Sequence, residues 1–394
     1  HRELGETMIS VFLAGLLVVF LGWTFYYRRH WRDGIRVELS FGQDFLYAGE
    51  QTFITEKIEN AKRLPVPILE AAFQIRKEIQ FLDLENTAVS DFTYKRDVFS
   101  VLGNQRIIRK LPVQCKKRGY YQIEKVDFTT YSLFHTWLYT MEQPEEKALY
   151  VYARRTDVSG LVLSCEKMLG ARQCGRRLYE DPFSFRGIRE YTITDPMKTI
   201  NWKASAKLGE LMVNTFDSTL TERVMIYLNV ADEGIIKHEN LIEEGISVAA
   251  TLAQKLIGKG MEVGIGLNAE GEKFWISPAG GRGQLTSIER MLAELDAKDK
   301  VVPFSDILAE MQEDTMPVFI SRNTDGAGRA IAEFIGKERE GIWVVPVTAT
   351  EIAERDGGNA SRRQEVRPSG ICQDLQQLMS GNRLQILVRK VAGV

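Results

Sequence analysis

Hydrophobic and polar positions alternate in different ways in three parts of the chain. An uncharged and mostly apolar run covers residues 7–27, from Thr7 to Tyr27, and is long enough to cross a bilayer as a helix. Residues 34–155 contain short runs of alternating apolar and polar positions, which are typical of β-strands with one buried face. From Arg223 onward, continuous apolar runs such as VMIYL alternate with segments of helical spacing, which predicts an α/β unit with a largely parallel sheet.

These patterns predict a protein of several domains. A chain of 394 residues exceeds the size at which a single hydrophobic core keeps growing. Several short strands with turn signals within about 120 residues favour a β-sandwich. We therefore predict a membrane anchor with a basic flank at 1–33, an immunoglobulin-like β-sandwich at 34–155, a hairpin and polar segment at 156–222, and an α/β domain at 223–394.

The charges on either side of the apolar run predict its orientation. Basic residues follow the run directly, whereas the preceding flank has one arginine against two glutamates: Arg28, Arg29, His30 and Arg32 follow, and Arg2, Glu3 and Glu6 precede. The excess of positive charge marks the cytoplasmic side of a membrane helix, so we expect a single-pass anchor with cytoplasmic soluble domains. A cleaved signal peptide would carry its charge before the apolar run and end in small residues.

Composition and residue spacing argue against several classes of function. A formal net charge of -2 does not suit a dedicated nucleic-acid-binding protein. Four cysteines and four histidines show no spacing typical of a zinc site. The pattern Gly264-x-Gly266 is followed by another strand, where a dinucleotide fingerprint requires a helix. We therefore predict neither a cofactor nor a nucleic-acid partner.

The segment FRGIREYTITDPMKTINWKASAKLGELMV, at residues 185–213, is the most distinctive part of the chain. It brings together seven candidate site residues: Arg189, Tyr191, Asp195, Trp202, Lys203, Ser205 and Lys207. The pattern predicts a hairpin that turns at Asp195 and Pro196 and resumes an extended run at 199–202. Trp202 would then lie opposite the first strand and cover an arginine stem. Such a motif serves either to pack the fold or to dock a partner, and both interpretations stay open.

The order of these residues resembles the signature of the domain of unknown function 58 family. It reads Arg-x-Tyr, then Asp, then Ile-x-Trp-Lys-x-Ser-Ala-Lys, then Gly-x-Leu-x-Val. The resemblance extends over nearly the whole chain and implies a membrane anchor, a β-sandwich and a von Willebrand factor A-like α/β (Rossmann-like) domain. It also implies a partner, an AAA+ ATPase of the MoxR type, but no reaction.

The first strand end of the α/β domain is the place to look for a metal. In von Willebrand factor A domains this corner carries Asp-x-Ser-x-Ser, whose oxygens hold a divalent cation. This chain has Asn229, Val230, Ala231, Asp232 and Glu233 there, and the hydroxyl groups are absent. A hard cation needs several oxygen ligands with negative charge. We therefore interpret Asn229, Ala231 and Glu233 as a degenerate site and predict no bound metal.

The sequence favours a non-enzymatic interaction protein. Residues 172–207 hold eight Lys or Arg against four Asp or Glu, which suits a docking surface as well as a solvated face. We expect a membrane-anchored scaffold that docks a cytoplasmic MoxR-type AAA+ ATPase in the assembly or maturation of envelope or metal-dependent complexes. The alternative is a cell-envelope enzyme or polymer-binding protein that faces outward, with Asp195 and either Arg189 or Lys203 as its polar cluster.

Overall fold

The chain forms two compact units. The computed structural model describes residues 2–83, 85, 87–131, 138–175, 185–193, 195, 197–216, 222–231, 238–271, 274–296, 299–309, 314–323, 326–336, 339–348 and 383–391. The first, called the sandwich unit, comprises residues 1–154 with 292–295, and the second, called the α/β unit, comprises residues 155–291 with 296–394.

The sandwich unit begins with helix α1 (Arg2–His30), which contains the expected apolar segment. Residues Met8–His30 have a mean hydropathy of 2.3, and none of their most apolar stretch is buried inside the protein. By length and composition this helix is able to cross a membrane. The helix extends beyond the predicted run at both ends, because the flanking arginines and glutamates are good helix formers.

The end of α1 is held by the strands that follow it. Tyr27 and Trp31 are 2% and 8% exposed, and the Trp31 ring stacks on Tyr139 with 5.7 Å between ring centroids. The Lys62 ammonium group donates hydrogen bonds to the carbonyl oxygens of His30, at 3.3 Å, and of Trp31. A lysine at this position satisfies carbonyl groups that have no partner inside the helix. The C-terminal end of α1 is therefore fixed to the strands of the sandwich unit.

Two β-sheets make up the rest of the sandwich unit. One sheet has the order β1-β3-β8-β5, and the other has the order β2-β10-β9-β4-β7-β6. The strands are β1 (Ile35–Phe41), β2 (Phe45–Tyr47), β3 (Gln51–Asn60), β4 (Val66–Arg76), β5 (Ile79–Phe81), β6 (Thr87–Val89), β7 (Phe92–Val101), β8 (Gln105–Cys115), β9 (Gly119–Tyr131) and β10 (Leu138–Tyr152).

The two sheets share one hydrophobic core. Every second residue of β3 and of β7 is buried, as expected for strands with one inward face. Ile54 and Ile58 of one sheet belong to the same buried cluster as Phe73 and Val126 of the other. This arrangement is a β-sandwich.

The α/β unit is built on a six-stranded sheet and a smaller two-stranded ribbon. The sheet has the order β15-β14-β13-β16-β17-β18, and the ribbon pairs β11 with β12. The elements are α2 (Ser159–Gly175), β11 (Phe185–Glu190), a 3-10 turn (Met197–Thr199), α3 (Trp202–Leu208), β12 (Met212–Phe216), β13 (Arg223–Leu228), α4 (Glu239–Gly258), β14 (Glu262–Leu267), β15 (Trp275–Ala279), α5 (Gly281–Glu294), α6 (Phe304–Ala309), β16 (Met316–Ile320), α7 (Gly326–Ile335), β17 (Gly341–Thr348) and β18 (Leu384–Val391).

β13 is a central strand of the large sheet, and the strands that follow it in sequence are added first on one side of it and then on the other. β13 pairs in parallel with both β14 and β16, and the chain extends the sheet outward on each side, with β15 as an antiparallel edge. β16 and β17, and β17 and β18, are also parallel. Five residues of β13 are buried, which suits a strand covered on both faces. In open α/β sheets, the carboxyl ends of strands at such a reversal are the usual place for ligands.

Candidate functional site

The segment with the most distinctive sequence, residues 185–216, is called the motif segment here. β11 and β12 pair antiparallel within it, with Arg189 opposite Val213 and Glu190 opposite Met212. The prediction of a second extended run at 199–202 is wrong, because helix α3 begins at Trp202. Ile200 makes only an isolated bridge to Val213. The hairpin therefore encloses a turn and a short helix.

Arg189 and Asp195 form a bidentate ion pair that closes the turn after β11. The two guanidinium nitrogens lie 2.6 and 2.5 Å from the two carboxylate oxygens. The backbone N–H and the hydroxyl group of Thr192 also donate to Asp195, at 2.9 and 2.8 Å. The Arg189 hydrogen bonds, with those of Thr192, hold the pKa of Asp195 well below its usual range. Asp195 is therefore a carboxylate with its oxygens engaged, and it fixes the loop.

Asn201 and Ser205 connect α3 to β12. The Asn201 side chain caps α3 by accepting from the Ala204 N–H at 3.0 Å, and it donates to Asn214 at 2.7 Å. The Ser205 hydroxyl donates to the Asn201 carbonyl oxygen and accepts from the Met212 N–H, both at 2.8 Å. Ser205 is 8% exposed. Its hydroxyl group is therefore part of the internal support of the motif segment.

The remaining candidate residues of the motif lie closer to solvent. Trp202 is 66% exposed, so the expected packing of its indole over an arginine stem is wrong. Lys203 and Lys207 are exposed on α3, one helical turn apart. Tyr191 is half-buried, and its backbone N–H donates to the Leu211 carbonyl oxygen at 2.8 Å. The structure thus divides the motif into a supporting set and an exposed set.

Large apolar side chains are exposed throughout the same segment. We call them, together with Lys198, Lys203 and Lys207, the motif surface. Their exposed fractions range from 42% to 96% in the set Ile188, Ile193, Met197, Trp202, Leu208 and Leu211. Sequence reasoning did not identify the five aliphatic members. The sequence contains a signal for their exposure, because these apolar residues lie at the turn, at the end of α3 and next to β12, where no buried face is predicted.

A network of neutral side chains occupies the carboxyl ends of the central strands. The Asn229 amide oxygen accepts from the Asn268 side chain at 2.7 Å and from the Ala231 N–H at 2.9 Å. The Asn229 amide nitrogen donates to the Ser321 hydroxyl group at 3.0 Å, and the Val230 N–H donates to Asn268 at 2.6 Å. Asn229, Asn268 and Ser321 are all buried.

This network bears on the degenerate metal site. The two hydrogen bonds to the Asn229 oxygen use its two lone pairs, and Ala231 has no side-chain oxygen. Glu233, the third residue of that prediction, lies outside the described residues. Within the described ranges, no group of three or more His, Cys, Asp or Glu side chains could hold a metal. Asn268 and Ser321 were missed from the sequence, although each follows a buried strand directly.

The glycine pattern of β14 has a packing role. A Cβ atom on Gly266 would lie 2.6 Å from the Trp275 ring, and one on Gly264 would lie 2.7 Å from the Ile276 carbonyl oxygen. Glycine inside a strand often marks such a close approach of another chain segment. These contacts account for the two glycines without a bound dinucleotide.

A second polar cluster, which the sequence did not reveal, lies inside the sandwich unit. Glu56, Lys95 and Asp97 are at most 1% exposed. Arg109 approaches Asp97 at 3.0 Å, and the Lys95 nitrogen lies 3.7 Å from the same carboxylate. Neither oxygen of Glu56 has a hydrogen-bond partner among the described residues. Burial, reinforced by the nearby Asp97 charge, raises the pKa of Glu56 to about 8.

Comparison with known proteins finds one family model that matches part of the chain. The fold combines an apolar N-terminal helix, a β-sandwich and an α/β unit that carries the motif segment. Residues 187–322 match the family model described as "Protein of unknown function DUF58". The chain therefore carries the DUF58 region, which confirms the family recognised from the motif. No curated protein matches the sequence.

Solved structures share limited similarity with the chain. An α2-macroglobulin from Escherichia coli is 15% identical over 30% of this chain and 7% of its own length, with a TM-score of 0.23. A non-cellulosomal cohesin from Archaeoglobus fulgidus is 8% identical over 33% of this chain and 97% of its own, with a TM-score of 0.21. A CARDB domain from Pyrococcus furiosus is 12% identical over 30% and 96%, with a TM-score of 0.18.

Proposed function

We propose that this chain is a non-enzymatic, membrane-anchored scaffold protein whose motif surface docks a protein partner. The observation that carries the proposal is the exposure of six large apolar side chains between Ile188 and Leu211, at 42% to 96%. Soluble proteins rarely expose apolar patches without a function, and such patches often mark sites of protein association. Tryptophan is also enriched among the residues that dominate binding energy at interfaces.

The state of the polar motif residues supports a non-enzymatic role. A general base needs a pKa near the working pH, whereas the hydrogen bonds from Arg189 and Thr192 hold the pKa of Asp195 far below it. The Ser205 hydroxyl group is engaged with two backbone groups, and the Asn201 carbonyl oxygen that accepts its hydrogen bond is not a general base. These residues act as supports that place the exposed side chains.

The family resemblance supplies the identity of the partner. We take the partner to be an AAA+ ATPase of the MoxR type, and the role to be assembly or maturation of envelope or metal-dependent complexes. The α/β unit is a von Willebrand factor A-like domain in this proposal, which its parallel sheet with one antiparallel edge strand supports. Arg28, Arg29 and His30 at the end of α1 favour a cytoplasmic position for both units.

Co-purification of the full chain with the ATPase tests this proposal. The chain is placed in detergent or lipid nanodiscs and mixed with a MoxR-type AAA+ ATPase of the same organism, and bound ATPase is quantified. We expect Trp202→Ala to reduce capture at least tenfold, because an exposed aromatic anchor is lost. Phe92→Ala, which removes a 41% exposed aromatic side chain from the sandwich unit, is the matched control.

Correct folding of each variant is checked by the protection of Cys165 from thiol reagents, since this cysteine is fully buried in the α/β unit. Absence of capture by the wild type contradicts the proposal. Equal capture by wild type and a folded Trp202→Ala variant also contradicts it.

A further inference from the structure

The charge pattern of the motif surface deepens the proposed function, on which this inference rests. We infer that the partner presents an acidic amphipathic segment, in which apolar side chains alternate with carboxylates.

Three lysines give the motif surface its positive charge. Lys198, Lys203 and Lys207 are exposed, and none of them forms an ion pair within the described part of the chain. Arg189 does not add to this charge, because Asp195 neutralises it at 2.5 and 2.6 Å. The three ammonium groups are therefore available to carboxylates of a partner.

The geometry of α3 places apolar and basic side chains side by side. Ser205 faces the interior, and Trp202 and Leu208 lie three residues before and after it. At about 100° per residue, these two side chains lie on the two flanks of the buried face. Lys203 and Lys207 lie on the opposite, solvent-facing side. A segment that binds α3 therefore contacts the apolar side chains of Trp202 or Leu208 on the flanks of the helix. It contacts the ammonium groups of Lys203 and Lys207 on the solvent-facing side.

The same pattern favours a protein segment over an anionic membrane surface. Clusters that bind anionic lipids usually contain four to eight basic residues. The motif surface has three lysines that form no ion pair with the described residues, and exposed Glu190 and Glu210 lie in the same segment. An extended negative surface would repel these two glutamates. A peptide of mixed apolar and acidic side chains can instead place a carboxylate at each lysine and an apolar side chain at each apolar residue of the motif surface.

Paired synthetic peptides test the inference with the full chain in nanodiscs of phosphatidylcholine. Two fluorescent helical peptides share one stripe of leucines and carry either glutamates or lysines at the flanking positions. We expect the acidic peptide to bind at least tenfold more tightly than the basic one at low salt, and the preference to shrink as salt screens the charges. The double variant Lys203→Glu, Lys207→Glu is expected to reverse the preference.

A matched control changes the same charge elsewhere. Lys167 on α2 and Lys255 on α4 are exposed lysines outside the motif segment. The double variant Lys167→Glu, Lys255→Glu is expected to keep the wild-type preference for the acidic peptide. Trp202→Ala is expected to weaken binding of both peptides, whether positions 203 and 207 carry lysine or glutamate.

The outcomes separate failure of this inference from failure of the proposed function. If the ATPase is captured in a manner that depends on Trp202, but reversal of Lys203 and Lys207 changes neither capture nor peptide preference, the acidic segment is wrong and docking stands. If phosphatidylglycerol vesicles bind through Trp202 and neither peptide does, a membrane surface replaces the protein segment. If neither peptide, vesicle nor ATPase binds, both proposals are wrong.

Discussion

Substitution of Glu56 by glutamine should remove a pH dependence of stability that is built into the sandwich unit. The wild-type carboxyl group is 1% exposed and lies among Asp97, Lys95 and Arg109. Burial raises the pKa of Glu56 from 4.5 to about 8, so at neutral pH the folded state holds a proton that the unfolded chain releases. Glutamine has nearly the same shape and stays neutral at every pH.

The sign and size of the effect follow from this shift. Because the folded pKa lies above the unfolded one, stability is fully present below pH 4.5 and falls as the pH rises toward 8. One pKa unit corresponds to about 1.4 kcal/mol, so the loss across this window is at most about 5 kcal/mol. We expect the unfolding free energy of the Glu56→Gln variant to lack this dependence on pH. At pH 9 the variant should be more stable than wild type by about 1 to 5 kcal/mol.

Thiol labelling of Cys115 measures the stability of this unit within the full chain. Cys115 is fully buried in the sandwich core, so it reacts only when the unit opens. Its labelling is followed by mass spectrometry of the Cys115 peptide in increasing urea, at several pH values from 5 to 9. The rate is normalised to that of the unfolded chain at each pH, because thiolate reactivity itself depends on pH.

A substitution on the opposite face of the same strand serves as the control. Glu59 lies on β3, pairs with Arg106 and is 29% exposed in its side chain. Glu59→Gln is expected to keep the wild-type pH dependence. If the wild-type unfolding free energy is unchanged from pH 5 to 9, or if Glu56→Gln retains the slope, the assignment of a neutral buried Glu56 is refuted.

Three other predictions concern the supports of the fold. Ser205→Ala should destabilise the motif segment by about 1 to 3 kcal/mol, because the half-buried Met212 N–H loses its acceptor. Faster amide exchange of Met212 would show this loss, whereas exchange unchanged from wild type would contradict it. Lys62→Met should loosen the segment that follows α1, because the lysine binds the carbonyl oxygens of His30 and Trp31. Faster amide exchange at residues 31–35 would show this, and unaltered exchange there would argue against it. Calorimetry with Mg²⁺ or Mn²⁺ should detect no micromolar site, because both lone pairs of the Asn229 oxygen are used, and binding that Asn229→Ala abolishes would contradict this.

Sequence patterns predict much of the fold because they report periodic burial. The alternation in β3 and β7 and the continuous apolar run in β13 follow directly from how many faces of each strand are covered. Helix α2 was not predicted, although Leu161, Cys165 and Leu169 recur at helical spacing. Its three glycines lower helix propensity, and its apolar residues are spread around the axis, so the signal was weak.

The motif segment was harder to predict because its helix has only seven residues. Asn201 before Trp202 and Gly209 after Leu208 are the capping residues expected of a helix, and Gly209 has a φ of 78°. The bulky residues at 199–202 favoured an extended strand by propensity alone. Tertiary contacts decide the outcome, because the Ser205 hydroxyl group accepts a hydrogen bond from the N–H of Met212, seven residues further along the chain.

The buried cluster around Glu56 illustrates a different limit. Glu56 stands between Ile54 and Ile58 in the inward positions of β3, so its burial could be inferred from alternation. Its partner Asp97 lies on β7 of the other sheet, and only the packing of the two sheets brings them together. A single sequence contains no local signal for such a contact.

Site-specific crosslinking in cells tests the central claim most directly. A photoreactive phenylalanine analogue is placed at position 202, or at position 92 as the control, and crosslinked proteins are identified after illumination. Docking through the motif surface predicts a covalent adduct with a MoxR-type AAA+ ATPase from position 202 and none from position 92. Equal crosslinking from both positions, or no ATPase adduct from position 202, would contradict the account.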